Sequence, residues 1–515
     1  MPAHVLQLTR IIVLSLAACL LTQMSLGQDV TDRTDAEEVY EVAIYDQSDF
    51  RATPQRTFDL LHIKLELSFD WEKQWVIGTA TLELRPYFYE QRWVTLDAKG
   101  LEIKNIKLNN KESTLYYEQD SSKLLVDLGR AFTKEDTITI VVDYIGKPLE
   151  YSGNTNGIFH KEQGLYFINA DGDNPNKPKQ IWTQGETAYN SVWFPTIDHP
   201  NERCTQETII TVDSEFKTLS NGALQSSISN DDGTRTDHWL MDQPHAPYLF
   251  MLAIGDFAVV KDEYPDVSVT YWVEPEYEQY AKSIFGNTPE MIAFFSELFD
   301  YPYPWKSYSQ VVVRDFVSGA MENTTASVFM EEVQVDSRTL LDYNWDYIIA
   351  HELAHQWFGN LVTCESWSYL TLNEAFANYA ESLWMEYKYG NDEADYHRQE
   401  ELYTYLTEAL EQRLELIRYY YEDAEDLFDA HSYSKGGRVL HILREYAGDE
   451  AFFEALHIYL SENEYESVEV DQLRLAFEEV TGEDLNWFFD QWFFNPGHPQ
   501  VEVQHSYEKD ALRLS

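Results

Sequence analysis

Two histidines four residues apart flank a carboxylate in the run His351-Glu352-Leu353-Ala354-His355. On a helix that spacing points both imidazoles from one face, where they can share a metal ion, and it sets Glu352 beside that ion. A catalytic zinc site takes three protein ligands and keeps a fourth position open, so the pair requires a third donor from nearby structure. Glu374, in Leu372-Asn373-Glu374-Ala375-Phe376-Ala377, supplies it from a second helical pattern. The segment between His355 and Glu374 is long enough to let the two helices pack antiparallel. Zinc held by two neutral imidazoles and a carboxylate lowers the pKa of its water and polarises a carbonyl, which makes amide hydrolysis feasible near neutral pH. Glu352, next to a ligand without being one, is positioned as general base and as proton shuttle to the leaving amine. Glu381 lies seven residues beyond Glu374 on the same helical face, either hydrogen-bonded to a ligand histidine or facing solvent as an ordinary acid.

These residues need helices to carry them, and the hydrophobic pattern supplies helical periods over 345–358, 372–389, 437–446 and 471–480, the last two stopped by Gly448 and Gly482. Thr288-Pro289-Glu290 reads as an N-cap with proline at the first helical position, ahead of Met291, Ile292, Phe294, Phe295 and Leu298. Upstream the pattern alternates. Residues 62–67, 78–84, 101–103, 137–142, 207–212 and 249–254 read as strands, with turn signals at Asn109-Asn110 and Asp231-Asp232-Gly233. The period shifts toward helix after about Tyr264, with a few strands near Val311-Val312-Val313.

At 515 residues the chain exceeds one core, and its 44% hydrophobic and 15% aromatic content exclude general disorder. The resulting expectation is an N-terminal antiparallel β domain over 49–258 and a mostly helical catalytic domain over 259–499. Residues 500–515 then begin a further β domain, read as truncated. With 89 Asp and Glu against 37 Lys and Arg, the formal charge is −52, a surface that repels phosphate backbones and anionic headgroups. Nucleic acid is therefore excluded as a partner, and the acidic coat reads mainly as a solvated surface.

Arg10, the apolar stretch Ile11 to Leu21 and Ser25-Leu26-Gly27 form a secretory leader pattern over 1–27, too short to span a bilayer, followed by an acidic flexible segment over 28–48. The expected location is periplasmic or extracellular. Leu16-Ala17-Ala18-Cys19 resembles a lipobox, which would leave Cys19 as a lipid anchor. Beyond the leader only Cys204 and Cys364 remain, so at most one disulfide can form.

The run from His351 to Asn360, followed by Asn373-Glu374-Ala375-Phe376-Ala377 at the spacing of a glutamate zincin, resembles the aminopeptidase N family of zinc metallopeptidases. Gly319-Ala320-Met321-Glu322-Asn323 is similar to that family's exopeptidase signature, and Thr183-Gln184-Gly185-Glu186, Tyr433-Ser434-Lys435-Gly436-Gly437 and the Trp492 to Pro499 region add to the likeness. The resemblance implies a thermolysin-like catalytic domain with one Zn2+ on His351, His355 and Glu374, and Glu352 as catalytic base. It implies that Glu322 and Glu186 hold the α-ammonium of a peptide with a free N-terminus. Gln184, Gly319, Ala320 and Met321 then belong to the substrate site, and Tyr433 stabilises the oxyanion.

The chain departs from the family pattern at Thr324-Thr325, where an aromatic or proline and a glycine are common, and at Ala375, where glycine is frequent. These changes put side-chain preference in doubt and leave reaction type untouched. The expected function is hydrolysis of the N-terminal peptide bond of short peptides. The alternatives are an epoxide hydrolase of the leukotriene A4 hydrolase type, a thermolysin-like endopeptidase and a catalytically weak scaffold.

Overall fold

The computed structural model describes residues 50–109, 114–151, 163–508 and 511–514. The leader, the acidic entry segment and Cys19 lie outside the described residues. Residues 48–515 cluster as one compact unit.

Alternating sequence in the first half folds as alternation predicts, because each strand turns one face to a core. Strands β1 (Phe58–Asp70), β2 (Trp75–Pro86), β3 (Glu102–Leu108), β4 (Ile138–Gly146), β5 (Cys204–Asp213), β6 (Ala223–Ser229) and β7 (Thr234–His245) form an open sheet in the order β6-β7-β5-β1-β2-β4-β3. Its pairings are antiparallel except β1 with β5. In β4 every second residue is buried, so Ile138, Val142 and Tyr144 enter one core with Leu65 and Leu82. A three-stranded and a four-stranded sheet complete this half.

The second half begins with more strand than its sequence pattern suggested. β8 (Ala258–Tyr264), β9 (Val267–Val273), β10 (Ser307–Val313), β11 (Ala320–Met321) and β12 (Ala326–Met330) form a sheet in the order β8-β9-β10-β12-β11. β9 continues the sheet past Tyr264, where a shift to helix was expected. It is buried on both faces toward its end, as Tyr271, Trp272 and Val273, so its period is obscured. For the same reason 249–254 misled: residues 247–249 make a 3-10 turn and the strand runs from Leu252 to Gly255.

Helices α1 (Thr288–Leu298) and α2 (Asp346–Ala354) pack on this sheet, and α3 (Thr371–Tyr389), α4 (Asn391–Glu408), α5 (Gly436–Ala447), α6 (Asp449–Glu462) and α7 (Val470–Thr481) pack in turn on α2 and on one another. The cap of α1 is Asn287 rather than Thr288, whose hydroxyl instead donates to Gln310 Oε1 at 2.7 Å. α4 and α6 were not apparent from the pattern. α4 buries only Ala394 and Tyr405 fully, too few positions to show a stripe. Close approach between α3 and α5 requires glycine: a Cβ on Gly436 would sit 2.5 Å from that of Ala375, and one on Gly437 2.3 Å from Asn378 Oδ1.

Cys204 and Cys364 are both buried and unpaired. No helix among the described residues is long and apolar enough to cross a membrane. At the C-terminal end Val501 and Val503 are exposed, and the strand pair is His505–Glu508 with Ala511–Leu514.

Candidate metal centre

His351 lies in α2 and His355 caps its C-terminus, while Glu374 sits in the first turn of α3, packed beside α2. The two imidazole Nε2 atoms are 3.1 Å apart, and Glu374 Oε2 lies 3.4 Å from the first and 3.3 Å from the second. Both rings are oriented from behind. His351 Nδ1 donates to Glu381 Oε1 at 2.7 Å and His355 Nδ1 donates to the Phe358 carbonyl at 2.9 Å. With both Nδ1 atoms protonated, the neutral rings present bare Nε2 lone pairs, and Glu374 Oε2 has no hydrogen-bond donor.

Three lone pairs of the neutral rings and the carboxylate thus converge in a buried spot, an arrangement that repels itself unless a proton or a metal cation sits between. Tetrahedral zinc with ligands at about 2.0–2.1 Å spaces its donor atoms about 3.3 Å apart, which matches the three distances found. The donor set fits zinc. The electrostatics favour positive charge at this spot, a proton where no metal is bound: burial pushes His355 down, yet the Glu322 and Glu374 carboxylates more than offset it and raise it to about 9. Burial pushes Glu374 up, and the two histidines outweigh that and hold it at about 2. The Glu381 reading resolves in favour of the ligand histidine: Glu381 bridges His351 and His397, whose Nε2 is 2.9 Å from Oε2.

Glu352 is buried on α2, its Oε2 unpartnered, and burial raises it to about 8 against the lowering effect of the two histidines. Glu322 and Glu186 reach the same cavity, and carboxylate oxygens of Glu186, Glu322 and Glu374 lie within 4.8 Å of one another. Glu186 Oε1 and Glu322 Oε1 are buried without partners. Burial and mutual repulsion push Glu186 well above the usual carboxylate range, and burial raises Glu322.

β11 carries Ala320 and Met321 at the sheet edge, and it pairs with β12 as Ala320 with Phe329 and Met321 with Val328. Gly319, Ala320, Met321 and Gln184 line the cavity, and Gln184 Nε2 donates to Met321 Sδ at 3.2 Å. The chain just after β11 is tied to the chain just after α2 by residues that motif reasoning left without a role. Gln356 Nε2 and Asn360 Nδ2 donate to the Glu322 carbonyl at 3.0 and 2.8 Å. Thr325, standing where glycine is common, adopts φ +66°, a region that costs a β-branched residue about 1–2 kcal/mol. Its own groups compensate: Thr325 N donates to Gln356 Oε1 at 3.0 Å, and its Oγ1 accepts from Gly222 N at 2.7 Å.

Tyr433 stands in a π-turn, His431–Lys435, between α4 and α5. Its ring stacks on His351 with centroids 6.1 Å apart and planes 13° from parallel. The base, the tyrosine and the substrate-site residues singled out from sequence therefore share one cavity of about 960 Å³ with the three metal donors, and Glu381 adds to its wall. Glu422, Asp423, Glu425 and Asp426 form a further acidic wall. No motif marked it, because acids are common throughout this chain. Glu425 Oε1 accepts from the Thr187 amide and hydroxyl at 3.2 and 3.0 Å, next to Glu186.

Residues 284–492 match the Peptidase family M1 domain and residues 58–249 the Peptidase M1 N-terminal domain. Among curated proteins the chain is 28% identical over 420 residues to probable aminopeptidase 1 of Sulfurisphaera tokodaii, covering 80% of this chain and 50% of that one. It is 28% identical over 431 residues to leucyl aminopeptidase of Saccharolobus solfataricus, covering 82% and 52%. The chain thus spans about half the length of the curated relatives it matches. A crystal structure of the M1 zinc metallopeptidase from Deinococcus radiodurans, a mutant bound to a Tyr-Ser-Ala substrate, shares the fold with a TM-score of 0.73 at 22% identity. The match covers 88% of this chain and 98% of that one.

Proposed function

The chain belongs to the M1 family of zinc metallopeptidases, the aminopeptidase N family, and from that premise we propose that it is a zinc aminopeptidase. It releases single residues from the N-termini of short peptides. One observation carries the reading: two buried carboxylates, Glu186 and Glu322, each with an unpartnered Oε1, line the cavity that also holds the His351, His355 and Glu374 donors. A pair of acids raised chiefly by burial, Glu186 further by its acidic neighbours, is stabilised by a cation brought from outside, and the α-ammonium of a peptide is such a cation.

Zinc held by His351, His355 and Glu374 would supply a Lewis acid that polarises the scissile carbonyl and acidifies water. The chain's own residues do the rest. Glu186 and Glu322 grip the free amine, which fixes the first peptide bond at the donor cluster and makes the enzyme an exopeptidase. The edge strand β11 offers its backbone to the substrate as a neighbouring strand would. Glu352 accepts the proton of the attacking water on its unpartnered Oε2 and passes it to the leaving amine. The Tyr433 phenol, whose burial pushes it well above its ordinary range and keeps it protonated, donates a hydrogen bond as the oxyanion forms. An epoxide offers the two acids no cation, so the lipid-epoxide alternative draws no support from this cavity. Export, read from the 1–27 leader pattern, is part of the proposal, and N-terminal sequencing of the chain recovered outside the cytoplasm checks it.

The test is hydrolysis of a panel of aminoacyl p-nitroanilides beside their N-acetylated forms. Free-amine substrates are expected to be cleaved, acetylated ones to be inert, and activity to vanish with a chelator and return with zinc. Cleavage of the acetylated series at a comparable rate would sink the ammonium clamp.

A further inference from the structure

We propose that helix α4 is a brace for the Tyr433 phenol, and that Glu401 and Glu408 are its two positioning residues. The inference rests on the aminopeptidase reading above and deepens it.

The two acids are seven residues apart, so they lie on one face of α4 two turns from each other. That face meets the π-turn on both sides of Tyr433. Glu401 Oε2 accepts from Ser434 Oγ at 2.7 Å, immediately after the tyrosine, and from Asn378 Nδ2 of α3 at 2.8 Å. Glu408 Oε1 accepts from His431 Nδ1 at 3.0 Å and Oε2 from the Ala430 amide at 2.8 Å, just before it. Between these clamps the Ser432 carbonyl accepts from Thr371 Oγ1 of α3 at 3.1 Å, and Ser432 Oγ accepts from Arg418 Nη2 at 2.6 Å.

The Tyr433 amide donates to the Asp429 carbonyl just ahead of the turn at 3.2 Å, and the residue is half-buried, its ring stacked on His351. A π-turn is an uncommon local geometry that its surroundings must hold. α4 has little apolar reason to dock, with Ala394 and Tyr405 its only fully buried residues. Its polar face instead directs these two carboxylates at the turn that carries the phenol. Asn378 stands between Glu374 and Glu381 on α3, so Glu401 sets the height of the turn against the helix that bears the metal donor. A hydrogen-bond donor to an oxyanion works only when held close to its productive position.

The oxygens make the test specific. Both bonds to Glu401 end on one oxygen, which glutamine keeps. Glu408 uses both of its oxygens, and glutamine keeps one. Moving the His431 proton to Nε2 to suit a side-chain amide would leave that N–H buried with no acceptor. The experiment measures kcat and KM on the best p-nitroanilide of the panel, with zinc content and melting temperature, for Glu401→Ala, Glu401→Gln, Glu408→Gln, Tyr433→Phe and the doubles with Tyr433→Phe. Glu401→Ala and Glu408→Gln are expected to lower kcat about tenfold, the scale of a small misplacement, with zinc content unchanged and KM within about twofold. Glu401→Gln is expected to behave as the parent. In the Tyr433→Phe background neither substitution should cost anything more, since each acts through the phenol.

Losses that add fully to that of Tyr433→Phe overturn the brace and leave the aminopeptidase reading standing. So does a loss expressed only in zinc content or KM, or a reversed order in which Glu401→Gln is impaired and Glu408→Gln is not. A Tyr433→Phe enzyme with parental turnover removes the assigned role of Tyr433, and the brace with it. Should Glu401→Ala fail to fold, the contrast between the two glutamine variants still decides.

Discussion

Glu374 and the pair Glu186 and Glu322 are the same chemical group in the same cavity at almost the same burial, yet they are driven in opposite directions. Burial is offset for Glu374 by hydrogen bonds and charge from both imidazoles, which hold it at about 2, whereas burial wins for Glu322, which the histidines lower only in part, and for Glu186, which the other acids push up further. Burial penalises the ionised form of all three, so the difference lies in the neighbours. Where histidines converge, the chain has built a place for a cation that stays. Where Glu186 and Glu322 are left without an imidazole hydrogen bond, it has built one for a cation that comes and goes with the substrate.

The largest effect follows from breaking the first place. Glu374→Ala removes one of three donors and is expected to abolish both zinc retention and turnover, read by metal analysis beside the amide assay. Glu352→Gln leaves the donors alone and removes the proton acceptor. Turnover should fall about 10²- to 10⁴-fold, the usual worth of a positioned acid or base, with zinc still bound. If the Gln enzyme loses its zinc instead, Glu352 is a metal ligand and not the base.

Breaking the second place should be milder. A hydrogen bond to a charged group is worth about 1.5–3 kcal/mol, so Glu322→Gln or Glu186→Gln should each lower kcat/KM about 10- to 100-fold on free-amine substrates. Zinc content should not change. Equal loss for both members of the comparison, acid pair and donor cluster alike, would mean that they form one metal site.

Asp198 sharpens the contrast from outside the cavity. It is a buried acid whose shift no histidine sets: burial raises it to about 7, partly opposed by Lys99, and its Oδ1 has no partner. Because its folded pKa lies above the unfolded value of about 3.9, its contribution to stability is fully present below that value and is lost as pH rises through about 7. Asp198→Asn should therefore flatten the pH dependence of the melting temperature over that window. It should gain on the parent most at pH 8, by at most a few kcal/mol, and leave turnover nearly unchanged. A constant difference between variant and parent from pH 4 to pH 8 would show that this acid does not titrate in the window.

The donor triad was legible before any fold was known, because two histidines four apart on a helix and a helical glutamate leave few geometries. The strands of the first half were legible too, since each buries one face and alternation survives. Strand β9 was not, because burial on both sides erases a period of two. Nor was helix α4, whose pattern is polar nearly all round and whose carboxylates gain meaning only from the turn they touch. Glu186 and Glu322 could be singled out only by likeness to a family, since 89 acids offer no local contrast.

Sequence alone therefore determined which atoms could bind a metal, because that depends on residue type and short-range spacing within a helix. The tertiary structure decided which acids lack a partner, which carbonyl Gln356 and Asn360 hold, and how the π-turn is clamped. Those properties belong to groups far apart along the chain, and desolvation and hydrogen bonding act on them only once packing has brought them together.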